Sequence, residues 1–378
     1  MGLQLSGMTT LAQRMERSGS HSTGFDYMRL LLALGVVLWH TVVICYGNAF
    51  QNALWVGPYR ALFSFILPMF FALSGFLVCG SLERCRTLVS FLSLRILRIF
   101  PALVAEVLLS ALLLGPILTE ASRSDYFHSE TLYSYFLNML GDIHYVLPGL
   151  FDRNPLPGVV NGQLWTVPYE LQCYIALALL SLLTVFRKTV VFLGILCVYQ
   201  IFLIALLFIK PDIVWIGLQG PELILYFLAG VAFYRFRRVI VWHGGFAVAA
   251  LAASLGLLSL NGGSFLAALP LTYLTVWLGL LSPKTPAFLK SGDYSYGVYL
   301  YSFPIQQAVA LMAWTRVWYI NALISLPLAC LAAVASWHLL EKHVLRHKKL
   351  AYALEDSVLA LRNKLARPKA PGSNAAIE

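Results

Sequence analysis

Charge is what this sequence has least of. Only 12% of its 378 residues are Asp, Glu, Lys or Arg, against roughly 25% in soluble domains, which excludes an ordinary water-soluble globular protein. Cysteine is sparse and scattered: Cys45, Cys79, Cys85, Cys173, Cys197 and Cys330 fall mostly inside apolar runs, with no C-x-x-C pair and no Cys/His cluster at ligand spacing. Neither disulfides nor a metal site is therefore expected. The first 23 residues contain Arg14 and Arg17 but no apolar core of signal-peptide type, so a cleaved signal is not expected and the first long apolar run doubles as the targeting signal. No internal repeat of fixed period is visible, and no second soluble domain.

What the chain has instead is apolar residues, 59% of the total, with a mean hydropathy of +0.75. The apolar runs recur at lengths near the ~20 residues that cross a bilayer, which predicts an all-α, polytopic membrane helix bundle. Ten spans are expected, at 26–47, 59–80, 95–118, 164–185, 190–209, 220–235, 243–260, 264–282, 294–314 and 318–340. Segment 131–140 is too short and broken to span and reads as an interfacial helix inside a long loop, 119–163. An even number of spans puts both termini on one side. Of the 27 basic residues, 22 fall on the side of the termini and five (Arg60, Arg123, Arg153, Lys210, Arg316) on the other. The positive-inside rule makes the terminal side cytoplasmic and the 119–163 loop periplasmic. The net charge of +10 is thereby a topology signal, and the partner it implies is the lipid bilayer, with no nucleic acid. Three regions follow: a cytoplasmic tail over 1–23, the ten-helix bundle over 24–341, and a cytoplasmic tail over 342–378. In that last tail Leu350, Leu354, Val358, Leu361 and Leu365 mark an amphipathic helix, and the residues beyond are too polar to fold.

Ionisable side chains inside spans are costly and mark function by default. They are Asp26, Arg29 and His40 in the first span, Arg95, Arg98 and Glu106 in the third, Glu170 in the fourth, Glu222 in the sixth and His338 in the last. Arg29 and His40 are eleven residues apart, about 1100° of helix, so they share a face with about 16 Å of rise between them. Glu170 and His40 lie at similar depths, ~9 and ~10 Å from the outer ends of their spans. A carboxylate meeting a histidine there would fix its tautomer and support it as a general base; the plainer alternatives are a satisfied core histidine and an interhelical hydrogen bond. Arg95 and Arg98, spaced i, i+3, project to one side at the cytoplasmic start of the third span. They fit a phosphate fork, and equally a pair of topology anchors. Glu106 stands on the same face as Arg95, as a charge partner in the bundle.

Six separated stretches resemble the integral membrane acyltransferase 3 family. FDYMRLLLALGVVLWH resembles its opening Asp, Arg and His signature, here Asp26, Arg29 and His40. LPMFFALSGFLVCGSL is similar to the second-helix motif, and LRILRIFPA to the Arg-x-x-Arg element followed by Pro101. LWTVPYELQCY resembles the Trp, Glu and Tyr element, here Trp165, Glu170 and Tyr174. SGDYSYGVYLYSFPI and SWHLLEK resemble the closing motifs, with Ser295, Tyr296, Tyr299, Pro304, Glu341 and Lys342. Thr166 departs from the usual Ser, and Ser302 stands where many members have His, which leaves His40 as the base.

The resemblance implies acyl transfer, most often of acetyl from acetyl-CoA, to a hydroxyl of a carbohydrate such as a cell-surface or exopolysaccharide sugar or its lipid-linked precursor, in the bacterial inner membrane. It implies His40 and Glu170 as catalytic, Arg29, Arg95 and Arg98 on the phosphates of acyl-CoA, and Trp165, Tyr174, Tyr296 and Tyr299 around the substrates. Trp165 serves as a sugar platform or as a membrane-belt anchor. No permanently bound cofactor or metal is expected. A transporter or flippase of a polyol or anionic substrate would use the same buried charges; against it stands the lack of an inverted repeat or of paired broken spans. A ligand-binding membrane sensor is a third reading.

Overall fold

The computed structural model describes residues 8–359, apart from 20–21, 184–187, 210–218, 285, 350–351, 354 and 358. Residues 1–7 and 360–378 lie outside the described residues, and with them the end expected to be unfolded, 366–378, and the five apolar positions of the expected amphipathic tail helix, Leu350, Leu354, Val358, Leu361 and Leu365. Among the described residues there is one isolated β-bridge, Thr10 to Val241, and no strand. A short helix α1 (Leu11–Arg17) precedes α2 (Thr23–Val56), α3 (Ile66–Arg84), α4 (Leu88–Leu118), α5 (Val167–Leu182) and α6 (Thr189–Ile209). Then follow α7 (Gln219–Arg235), α8 (Gly244–Leu258), α9 (Ala268–Gly279), α10 (Ser295–Val309) and α11 (Trp318–Ser336). Helices α2 to α11 stand where the ten apolar runs are. Five of them are long and apolar enough to cross a membrane on length and composition. Residues 130–140 fold as a helix, Glu130–Tyr135, running into a 3-10 turn, Phe136–Leu140.

The tightest pair is α3 against α7, and glycine sets its spacing. A Cβ on Gly75 would stand 2.0 Å from the Phe227 carbonyl oxygen, and one on Gly230 2.1 Å from that of Ala72. Lipid offers no hydrophobic drive between helices, so close backbone approach and van der Waals contact hold such pairs. At one end of this pair Glu83 accepts from the Tyr234 hydroxyl at 2.6 Å and pairs with Arg237 at 2.9 Å. Arg84, Arg86, Arg235, Arg237 and Arg238 gather here, and we call it the basic end.

Both terminal segments dock on the basic end. The Leu11 amide donates to the Ile240 carbonyl at 2.9 Å and Arg14 Nε to the Leu280 carbonyl at 3.1 Å. From the C-terminal tail, the buried Glu355 carboxylate accepts from the Arg86 amide (2.5 Å), the Thr87 amide (2.9 Å) and the Ser90 hydroxyl (3.0 Å). A carboxylate thus sits on the amides that open α4, the favourable place for negative charge on a helix. The tail is a cap of the helix that carries Arg95 and Arg98.

At the opposite, loop end, α10 holds the 119–163 segment. Gln307 Nε2 donates to the carbonyls of Leu156 (2.9 Å) and Val159 (2.7 Å), and Asn154 Nδ2 donates to the Gln307 carbonyl (2.9 Å). Pro304 has no N–H and frees the Leu300 carbonyl four residues back; Asn161 Nδ2 donates to that carbonyl at 3.0 Å. Gln306 ties α10 to α2 through the Val37 carbonyl at 2.8 Å. Gly47, where the first apolar run ends, takes φ 77° and breaks the regularity of α2.

Candidate active site

Near the basic end, Arg29 on α2 and Arg98 on α4 share one carboxylate. Asp293 Oδ2 lies 3.2 Å from Arg29 and 2.5 Å from Arg98, and its Oδ1 accepts from the Ser295 hydroxyl at 2.7 Å. Burial works to raise the Asp293 carboxyl, but Arg98, Arg29 and Ser295 outweigh it and hold it below the usual carboxylate range. Arg95 turns elsewhere, donating to Ser81 Oγ at 3.0 Å and lying 5.9 Å from the Tyr174 ring centroid. The i, i+3 spacing does bring Arg95 and Arg98 to one cavity, but their guanidiniums have different partners and form no fork in this state.

Two cavities adjoin this cluster. The inner chamber, about 130 Å³, is lined by Arg29, Arg95, Arg98, Glu170 and the tyrosines 174, 296 and 299, with Ser74, Thr166 and the rings of Phe70, Phe71 and Phe227. The vestibule, about 610 Å³, is lined by Asp26, Arg29, Arg98, Lys290, Asp293 and Trp337 among others. Arg29, Arg98 and Ser295 line both. Tyr296 donates to the Ile99 carbonyl at 3.2 Å, and Tyr299 to the Gln163 carbonyl at 2.8 Å, with its hydroxyl 2.7 Å from Thr166 Oγ1.

One expectation needs correcting. Glu170 is hydrogen-bonded to the Tyr174 hydroxyl one turn on and faces the arginines; among the described residues no hydrogen bond joins it to His40. Matched depth fixes one coordinate only, and the rotation of α5 about its axis is set by packing on α3, α4 and α7. Trp165 does not line the chamber. It sits in the 3-10 turn Gly162–Thr166 and packs on Tyr169, ring centroids 5.9 Å apart. Residues three apart eclipse in such a turn, so Gln163 and Thr166 face Tyr299 while Trp165 turns away.

His40 stands one layer beyond the chamber, toward the loop end. Its ring meets Phe303 edge-on at 5.1 Å and the Gln163 side chain, whose amide donates to the Tyr299 carbonyl. Its Nδ1 is buried and makes no hydrogen bond. Glu106, read as a charge partner in the bundle, accepts from Ser110 at 2.8 Å and neighbours Asn161 and Tyr135, with Oε2 unpartnered. A π-turn over Ser110–Leu114 begins just after it. Sequence reasoning missed Asp293, Asn161 and Gln163; the first stands beside the Ser-Tyr motif, and the other two border the Leu-Trp motif.

Half-buried arginines opening to a vestibule at one end, and a histidine whose Nδ1 is unpartnered toward the other, suit a group-transfer enzyme set in a membrane. Residues 22–341 match the family described as an acyltransferase domain, and the chain belongs to this acyltransferase 3 family. It is similar to an O-acetyl transferase of Shigella phage Sf6, 27% identical over 356 residues that cover 88% of this chain and 99% of the relative. It is also similar to nodulation protein 10 of Rhizobium leguminosarum bv. viciae, 26% identical over 364 residues, 88% and 95% of the two chains. No solved structure matches it. The chain is thus a membrane protein and an O-acetyltransferase.

Proposed function

We propose that the chain moves an acetyl group from acetyl-CoA, entering at a cytoplasmic basic end, to a hydroxyl of a carbohydrate that approaches from the loop end. In this reading ten helices cross the bacterial inner membrane and both termini are cytoplasmic. The observation that carries it is the set of three arginines on one chamber that continues into a vestibule at the basic end. Phosphate is the group that paired guanidiniums hold best, and a phosphorylated donor with a long thin arm suits a narrow aromatic chamber.

In the reaction the acceptor oxygen attacks the thioester carbonyl, the C–S bond breaks and an ester C–O bond forms. His40 Nδ1, free of any partner, takes the hydroxyl proton and returns it to the thiolate of coenzyme A. Gln163 and Tyr299, between His40 and the chamber, must let the thioester and the hydroxyl meet. Glu170 keeps Tyr174 in place on the chamber wall. The test is to mix pure protein with labelled acetyl-CoA and defined sugars and count acetyl groups on the sugar. Label on an oligosaccharide supports the reading; sugar or acetyl-CoA carried across a vesicle wall with no product overturns it in favour of transport.

A further inference from the structure

The chamber and the vestibule meet at one ion pair. Arg29 and Arg98 line both cavities, while Asp293 lines the vestibule only. The three side chains keep 26%, 27% and 23% of their surface open, the arginines toward both cavities and Asp293 toward the vestibule. Asp293 belongs to no helix: it lies in the short link between the helix Ala287–Ser291 and α10. Displacing its carboxylate moves one link and leaves the bundle alone. The other acidic groups near the two arginines, Glu170 on the chamber wall, Asp26 beside Arg29 and Glu341 toward Arg98, sit on helical segments.

A buried cation stripped of its partner is costly, so Asp293 leaves only where another anion takes over. We propose that Asp293 is a displaceable internal anion: it bridges Arg29 and Arg98 across the chamber entrance when no donor is bound, and a phosphate of the donor takes its place on the two guanidiniums. This rests on the reading that the donor is an acyl-CoA entering at the basic end. It adds a residue that sets donor affinity and keeps small anions off the two guanidiniums between turnovers.

The direction of one substitution separates this from a scaffold. If Asp293 competes with the donor, Asp293→Asn tightens donor binding; if it only aims the arginines, the same change weakens binding. The experiment titrates coenzyme A, which binds without reacting, into the full chain in lipid nanodiscs, with Asp293→Asn and Ser295→Ala beside the unaltered protein. With the bridge closed about nine-tenths of the time, Asp293→Asn tightens coenzyme A about tenfold. Ser295→Ala, which removes one hydrogen bond from the bridge, tightens it by a smaller factor, and decides the matter if Asp293→Asn does not fold. Binding to the unaltered protein with equal or weaker binding to the folded variants overturns the internal anion alone. No binding to any of the three overturns the acyl-CoA reading and this proposal together.

Discussion

Asn161 and Pro304 complete each other. The proline leaves the Leu300 carbonyl without its helical donor, and the Asn161 amide, arriving from the loop end 3.0 Å away, supplies one. The pair couples the folding of the 119–163 segment to the proline-bearing helix beside His40.

Asn161→Ala therefore lowers the stability of the protein in detergent by about 1–3 kcal/mol, the usual effect of stranding a buried polar group. Adding Pro304→Ala restores the helical N–H and recovers much of the loss. Thermal unfolding of the two single variants and the double variant measures the coupling; additive losses would break the proposed link.

His40→Ala leaves a folded, extractable protein but slows transfer by ~10²- to 10⁴-fold, the range of a general base. The rate of acetyl transfer, alongside size-exclusion chromatography, checks both halves. Near-normal turnover would make His40 a core residue and turn attention to Glu170.

Arg95→Lys and Arg98→Lys each raise the apparent KM for acetyl-CoA roughly tenfold, about the ~1.4 kcal/mol of one weakened charged contact. Lysine keeps the charge that topology counts, but not the planar set of donors that a phosphate uses. The acceptor KM stays close to unchanged. Steady-state kinetics varying each substrate tests this, and an equal loss toward both substrates, or none, returns the arginines to anchoring.

A single cysteine at Ser124, in a background without the six natural ones, reacts with an impermeant thiol reagent from the periplasmic side. Labelling in spheroplasts compared with inverted vesicles reads it directly. Reaction from the cytoplasmic side alone would reverse the topology.

Helix positions were legible because a span writes itself into the sequence as a long apolar run, and all ten runs have a helix in the structure. The arginines were legible for the same reason, as charges where charge is expensive. Rotation was not. Depth along a helix follows from counting residues, whereas the direction Glu170 faces depends on which neighbours α5 packs against. The direction of Trp165 could not be counted either, because the chain there is a 3-10 turn, whose period differs from the α-helical one. Asp293 escaped notice since a carboxylate just outside a span carries no cost that a sequence can register; its role comes from Arg29 and Arg98 meeting it in space.

The docking of Glu355 onto the opening amides of α4 gives the far end of the chain a hold on the helix that bears Arg95 and Arg98. Expression vectors commonly append affinity handles, fluorescent reporters or cleavage sites just past such a tail, on the assumption that nothing there matters. In this protein a fusion or trimming that pulls Glu355 away would remove three hydrogen bonds from the start of α4, and kinetics measured on it would describe an altered enzyme. A handle at the opposite terminus meets α1, which is itself docked on Ile240, so a reporter placed within an exposed stretch of the 119–163 loop is the gentler choice.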